Sequence, residues 1–207
     1  MNDTHRIAII GIGAIADIHA RAIAEIEGAT LVAGSCRTES KGRAFAGQFD
    51  CKWYDDTARM LDEQKPDVVM IASPSGTHCD LALLAIERGI HVLCEKPLEI
   101  TTERCDRVID AAEEAGVALG GVFPQRFNPV MQTVHDAASA GRFGNVASAN
   151  AYVPWWRDDA YYGSARWQGT LAMDGGGALI NEAIHAGDAR PWRAAAAGCG
   201  AAVGVFG

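Results

Sequence analysis

Over roughly the first 120 residues, short solid apolar runs alternate with amphipathic stretches, the spacing expected of strands and helices in turn. Arg6–Gly11 (RIAIIG) is uninterrupted by polar residues, as suits a strand buried on both faces. Thr30–Gly34, Asp67–Ala72 (DVVMIA), Ile90–Cys94 and Val117–Val122 are further strand candidates. Between them, apolar residues at helical spacing predict helices over Ala14–Ile26, Thr38–Phe49, Asp55–Gln64, Thr77–Arg88 and Thr101–Ala115. The last two run into Gly89 and Gly116, glycines that end helices readily. Alternation of this kind predicts an α/β domain with a doubly wound parallel sheet and right-handed crossovers. Its ligand crevice is expected at the carboxyl ends of the strands.

After residue 122 the texture changes, which sets expected domains of 1–122 and 123–207. Phe127–Ala140 reads as a helix and Asn145–Val153 as a strand. A stretch holding Trp155, Trp156, Tyr161, Tyr162 and Trp167 follows. Gly175–Gly177 then leads into a helix-like segment through His185, and from about Ala194 the chain is nearly all Ala and Gly. The second region therefore reads as an incomplete α+β domain.

The segment Gly11-Ile12-Gly13-Ala14-Ile15-Ala16 is a GxGxxA loop. Such a pattern is common by itself. Here it directly follows a buried strand and opens a helix, the context in which it forms a Rossmann dinucleotide site. The first glycine makes the tight turn, the second admits the pyrophosphate, and a small third residue lets helix and strand pack closely. The helix start offers unpaired N–H groups and a positive dipole end to the phosphates. Sites for NAD commonly carry an acid about 20 residues on, to hold the adenosine ribose. None stands here: the second strand runs into Gly34-Ser35-Cys36-Arg37-Thr38. With Ser35 and Arg37 at hand, the reading is NADP or NAD with a lean to NADP. Arg37 also suits stacking on adenine with either cofactor.

Cys94-Glu95-Lys96-Pro97 follows the Ile90–Cys94 strand, at the end of the sheet that faces the crevice. A lysine desolvated beside a cationic ring can move protons near neutrality, and Lys96–Pro97 is a candidate cis bond. Taken alone, an EKP tripeptide reads as a surface lysine in an ordinary turn rather than as a catalytic one.

Composition narrows the partners. Hydrophobic residues make up 49% of the chain and charged residues 21%, an ordinary globular mix. Eighteen Lys and Arg against twenty-six Asp and Glu give a net charge of −8, with no basic cluster for a nucleic acid. No apolar run approaches the ~20 residues that span a bilayer, and the start lacks the pattern of a signal peptide. The six cysteines are scattered, without CxxC pairs or metal-ligand spacing. They read as reduced thiols in cytoplasm, with no metal site.

Five segments in order resemble the Gfo/Idh/MocA family, the relatives of glucose–fructose oxidoreductase and inositol dehydrogenase. They are GIGAIA at Gly11–Ala16, ASPSGTH at Ala72–His78, EKP at Glu95–Pro97, QRFNP at Gln125–Pro129 and GGGALINEAIH at Gly175–His185. The resemblance implies a nicotinamide-dependent dehydrogenase acting on a sugar, cyclitol or nucleotide sugar. It adds Ala72, Ser73, Pro74, His78, Glu95 and Gln125 to the expected cofactor contacts Gly11, Ile12, Gly13, Ala14, Ile15, Ser35 and Arg37. It makes Lys96 the catalytic lysine, which also meets the cofactor, and His185 the catalytic histidine, with Asn181 one helical turn before it. Residues four apart on an α-helix share a face, so Asn181 and His185 can meet one substrate hydroxyl; a histidine satisfied within helix packing is the plainer alternative. Arg126, Trp156, Arg157 and Tyr162 are expected near the substrate, Arg126 as a bidentate clamp for carboxylate or phosphate. For the aromatic residues, core packing competes evenly with sugar stacking.

Departures from the family also shape expectations. Its members usually run well beyond 300 residues, with a large open sheet in the second domain. Here Asp188 and Trp192 look family-like, Gly187 stands where an aliphatic residue is usual, and the tail reads as a truncation or frameshift. A homo-oligomer is expected where the second domain folds. The competing readings are a truncated pseudoenzyme and a non-catalytic dinucleotide-binding regulator.

Overall fold

The computed structural model describes residues 4–145, 150, 152–164, 167–176, 178–186 and 188. The chain divides into two compact units, Met1–Val122 and Phe123–Gly207.

The first unit is built on six strands: β1 His5–Ile10, β2 Ala29–Ser35, β3 Lys52–Tyr54, β4 Val68–Ile71, β5 His91–Cys94 and β6 Leu119–Gly121. The helices are α1 Ala14–Ala24, α2 Glu39–Phe49, α3 Thr57–Gln64, α4 His78–Ile86 and α5 Thr102–Ala115, with a 3-10 turn at Ser75–Thr77. The strand order is β3-β2-β1-β4-β5-β6 and every adjacent pair is parallel. This is the doubly wound Rossmann arrangement anticipated from the alternating runs. The order reverses between β1 and β4, which makes their carboxyl ends the switch point where ligands bind in such sheets.

Strand side chains alternate between faces, so each central strand feeds two cores. Ile9 and Met70 face a layer with Ala16, Ala20, Ile23 and Phe45. Ala8, Ile10, Val69, Ile71, Val92 and Cys94 face the opposite layer, with Met60, Leu61, Ala82, Ala85, Ile86, Val108 and Ala112. Burial on both faces explains why these strands read as solid apolar runs. β3 did not announce itself in the sequence: it is three residues long, lies at the sheet edge and begins with an exposed lysine. Gly116, at φ +66°, closes α5 in a conformation glycine adopts without strain. Asp56 and Thr101 cap α3 and α5 by accepting from the backbone N–H groups of Arg59 and Arg104.

The second unit is helical among the described residues. It opens with a 3-10 turn, Pro124–Phe127, then α6 Pro129–Ser139, α7 Asp159–Ser164 and α8 Leu171–Asp174. A π-helical turn, Ala178–Glu182, carries Asn181. The α-helical spacing expected from Asn181 to His185 is thus interrupted by a wider turn. Much of the Asn145–Val153 strand candidate, together with Gly187, Trp192 and the Ala/Gly tail, lies outside the described residues. Among the described residues no helix is long and apolar enough to cross a membrane.

Candidate dinucleotide site

Four backbone bonds carry the sheet ladder to its rim. Gly11 N–H donates to the Ser35 carbonyl at 2.9 Å, Ala72 N–H to Ile10 at 2.8 Å, Glu95 N–H to Ile71 at 2.9 Å and Val122 N–H to Cys94 at 2.8 Å. The loops after β1, β2, β4 and β5 therefore start side by side. Gly11 has φ +95°, and a Cβ there would stand 2.7 Å from Ser73 N. The residue has to be glycine on both counts. Gly13 differs: nothing lies within 4 Å of where its Cβ would be. It is the N-cap of α1, and no side chain caps that helix. Open space at Gly13, in front of a helix start without a side-chain cap, leaves room for a pyrophosphate. Ala16, the third small residue, is fully buried against the core that Ile9 feeds. Ala14 and Ile15 are exposed at the mouth, and Ile12 packs beside Gly34.

At the carboxyl end of β2 the two residues expected to meet a phosphate part company. Ser35 is 2% exposed and its hydroxyl shares a 3.0 Å hydrogen bond with Thr57. It faces inward, which revises the expectation for its side chain. Arg37 is exposed. Its loop is held from β3: Cys36 N–H donates to the Tyr54 carbonyl at 3.1 Å, and Trp53 Nε1 donates to the Cys36 carbonyl at 3.2 Å.

The Lys96 turn is fixed from behind and from the side. The Lys96–Pro97 peptide is cis. His78, expected among the cofactor contacts, is instead 1% exposed, with Nδ1 2.8 Å from the Pro97 carbonyl and Nε2 2.8 Å from the Ser73 carbonyl. A neutral imidazole donates one of these bonds and the imidazolium donates both. The ring thus ties the loop after β4 to the loop after β5 and is too deep to touch a ligand. Ser73 and Thr77 share a 2.7 Å hydroxyl bond, and Thr77 donates to the Pro74 carbonyl; Ala72 is buried, while Ser73 and Pro74 are half-buried. Glu99 is buried at the other side of the turn. It accepts from Cys79 N–H at 3.2 Å and stands 3.1 Å from Arg104 Nε. Glu95 accepts a 2.7 Å bond from His19 Nε2 and a 3.1 Å bond from the backbone N–H of Lys96.

His19 and Glu99 were not singled out from the sequence. His19 carried a signal: with Ala16, Ala20 and Ile23 it falls on the i, i+3, i+4, i+7 stripe of α1, where a polar residue is out of place. Glu99 carried none that spacing would reveal.

In the second unit the arginines expected at the substrate are engaged internally. Arg126 makes a bidentate pair with Asp188, whose carboxylate holds the guanidinium pKa above its usual value. Arg157 pairs with Glu182 at 2.8 and 3.1 Å, and Tyr161 donates to the same carboxylate at 3.0 Å. Trp156 is 81% exposed and Tyr162 partly so, which removes core packing as the reason for Trp156. Asn181 is 7% exposed, His185 half-buried, and Gln125 half-buried in the opening 3-10 turn.

The family model for the oxidoreductases with an NAD-binding Rossmann fold, Gfo/Idh/MocA, matches residues 5–122, more than half of the chain. The chain belongs to the Gfo/Idh/MocA oxidoreductase family. Among its relatives, D-glucoside 3-dehydrogenase of Escherichia coli K12 is 34% identical over 189 residues, covering 89% of this chain and 52% of the relative. Inositol 2-dehydrogenase 4 of Saccharopolyspora erythraea is 38% identical over 157 residues, covering 72% and 46%. Among solved structures, the WlbA dehydrogenase of Bordetella pertussis, in complex with NADH and UDP-GlcNAcA, superimposes with a TM-score of 0.89 at 33% identity. The match covers 92% of this chain and 55% of that one. This Gfo/Idh/MocA chain spans about half the length of the curated relatives it matches.

Proposed function

We infer that this chain carries the cofactor-binding part of a dehydrogenase that interconverts a secondary alcohol and a ketone on a sugar, cyclitol or nucleotide sugar. The observation that carries this reading is the rim itself: the Gly11–Gly13 cradle and the Lys96 turn stand at the carboxyl ends of β1 and β5 in one sheet. Gly11, Gly13 and the first N–H groups of α1 hold the pyrophosphate, and the half-buried Lys96 serves the nicotinamide end. When bound, the nicotinamide supplies the hydride exchange.

The protein's own part is acid–base work and exclusion of water. Lys96 Nζ, as an ammonium, hydrogen-bonds the substrate oxygen and stabilises negative charge that builds on it. His185, four residues after Asn181, takes or returns the hydroxyl proton, in the role the family resemblance gives it. Trp156 and Tyr162 present faces suited to a sugar ring. For Arg126 and Arg157 a direct clamp on substrate is less favoured, because each already holds a carboxylate. NADP is preferred to NAD, on the strength of the exposed Arg37 and the lack of an acid at the end of β2.

The test begins with fluorescence titration of the folded protein with NADPH and NADH. A dehydrogenase screen over sugars, inositols and UDP-sugars follows. Lys96→Ala should lower turnover far more than cofactor affinity, and His185→Ala should remove one limb of the pH–rate profile. No uptake of either dinucleotide at millimolar concentration overturns the reading.

A further inference from the structure

We propose that His19 is a positioning residue for Lys96, acting through the carboxylate of Glu95. This goes with the function inferred above, since it assigns a task around the lysine that reading places in catalysis. His19 is a polar ring on the apolar stripe of α1, and its side chain is 13% exposed. Burial of that kind is costly unless the group is hydrogen-bonded. Its partner is Glu95, 76 positions away in sequence and 12% exposed. The two carboxylate oxygens are divided: Oε1 accepts from His19 Nε2 and Oε2 from the backbone N–H of Lys96. With both oxygens engaged by the protein, the carboxylate acts as a post that fixes where the Lys96 turn starts.

The geometry also links the two ends of the dinucleotide site. α1 begins at the pyrophosphate cradle, and His19 lies about a turn and a half further along the same helix. One rigid element therefore sets both the phosphate anchor and, through Glu95, the lysine. Glu95 N–H is itself bonded to Ile71 in β4. The His19 contact restrains its side chain from the helix as well.

The experiment compares the wild-type protein with His19→Leu, His19→Asn and His19→Gln. Leu and Asn lose the bond, the first for want of a donor and the second for want of reach; Gln keeps an N–H donor at similar length. The readout is competitive acetylation of lysines with acetic anhydride, resolved by peptide mass spectrometry, with no substrate needed. The other lysines, the exposed Lys41, Lys52 and Lys65, are internal controls. The relative reactivity of Lys96 should change at least threefold in the Leu and Asn variants and stay near wild type in the Gln variant. The three controls should stay constant. NADH affinity should move by less than the Lys96 signal. Unchanged Lys96 reactivity in folded Leu and Asn variants overturns the proposal, as does a Gln variant that behaves like Leu. Loss of fold in both Leu and Asn also overturns it, because the pair then serves stability alone. A protein that takes up no dinucleotide yet shows the Lys96 response refutes the function inferred above and leaves this proposal standing.

Discussion

His78 holds the Pro97 carbonyl at 2.8 Å, so the first residue of α4 carries the turn that presents Lys96. The same ring reaches the Ser73 carbonyl, which makes one buried side chain the joint between two crevice loops. A buried carbonyl left without its donor costs about 1–3 kcal/mol. His78→Leu roughly keeps the volume and removes the ring's hydrogen bonds to the two carbonyls. It should lower the unfolding free energy by about 1–3 kcal/mol, read from the urea midpoint. It should also weaken NADH binding several-fold, although the ring touches no ligand. A variant as stable as the parent would show that the two carbonyls have other donors.

Gly11 and Gly13 separate fold from binding. Gly11→Ala forces a side chain into φ +95° and against Ser73 N. The conformation alone costs about 1–2 kcal/mol, before the clash. This variant should melt earlier and bind no dinucleotide. Gly13→Ala meets open space. It should keep the parental melting temperature and still lose tenfold or more in NADH affinity, because its methyl enters the space proposed for the pyrophosphate. Equal affinity with and without that methyl would move the phosphates elsewhere.

The parts of this site that were legible in the sequence share a property: their chemistry is local. The glycine loop and the rim strands announce themselves because buried strands are solidly apolar and because tight turns need particular residues, whereas the Glu95–Pro97 turn stood out only through the family resemblance. What stayed hidden depends on contacts between distant segments. His78 looked like a ligand-side residue of the ASPSGTH motif, and only the depth of α4 shows that it faces two carbonyls. Ser35 looked available for a phosphate until Thr57 was seen to hold its hydroxyl. Arg126 and Arg157 looked like clamps, and their partners Asp188 and Glu182 lie 62 and 25 positions away. A sequence states which residues can form an ion pair, not which of them do.

The thiols give a pH prediction. Burial, reinforced by the Asp50 carboxylate, pushes Cys51 up from 9.0 to about 11. Burial likewise raises Cys94, with Glu95 and Glu99 adding to it. The folded state thus holds these protons more tightly than the unfolded chain does. The contribution to stability is constant below the ordinary value of 9.0 and is lost as the pH rises from there through about 11 for Cys51. Iodoacetamide labelling resolved by peptide should show the Cys51 rate still climbing at pH 10. A plateau by about pH 9.5 would mean the thiol is solvated.

Cofactor choice should turn on Arg37. The end of β2 offers no carboxylate, Ser35 faces inward, and Arg37 remains exposed on a loop that Tyr54 and Trp53 hold through Cys36. A guanidinium on a held loop meets a 2′-phosphate with little ordering cost, and it binds such groups bidentately. Arg37→Glu reverses the charge without touching the pyrophosphate cradle. It should raise the Kd for NADPH at least tenfold while changing that for NADH no more than threefold. Trp53→Phe removes the Nε1 donor to Cys36 and should erode the same preference in part, with the glycine loop untouched. If the wild-type protein already binds NADH more tightly than NADPH, and Arg37→Glu weakens both cofactors alike, the arginine is stacking on adenine rather than holding a phosphate.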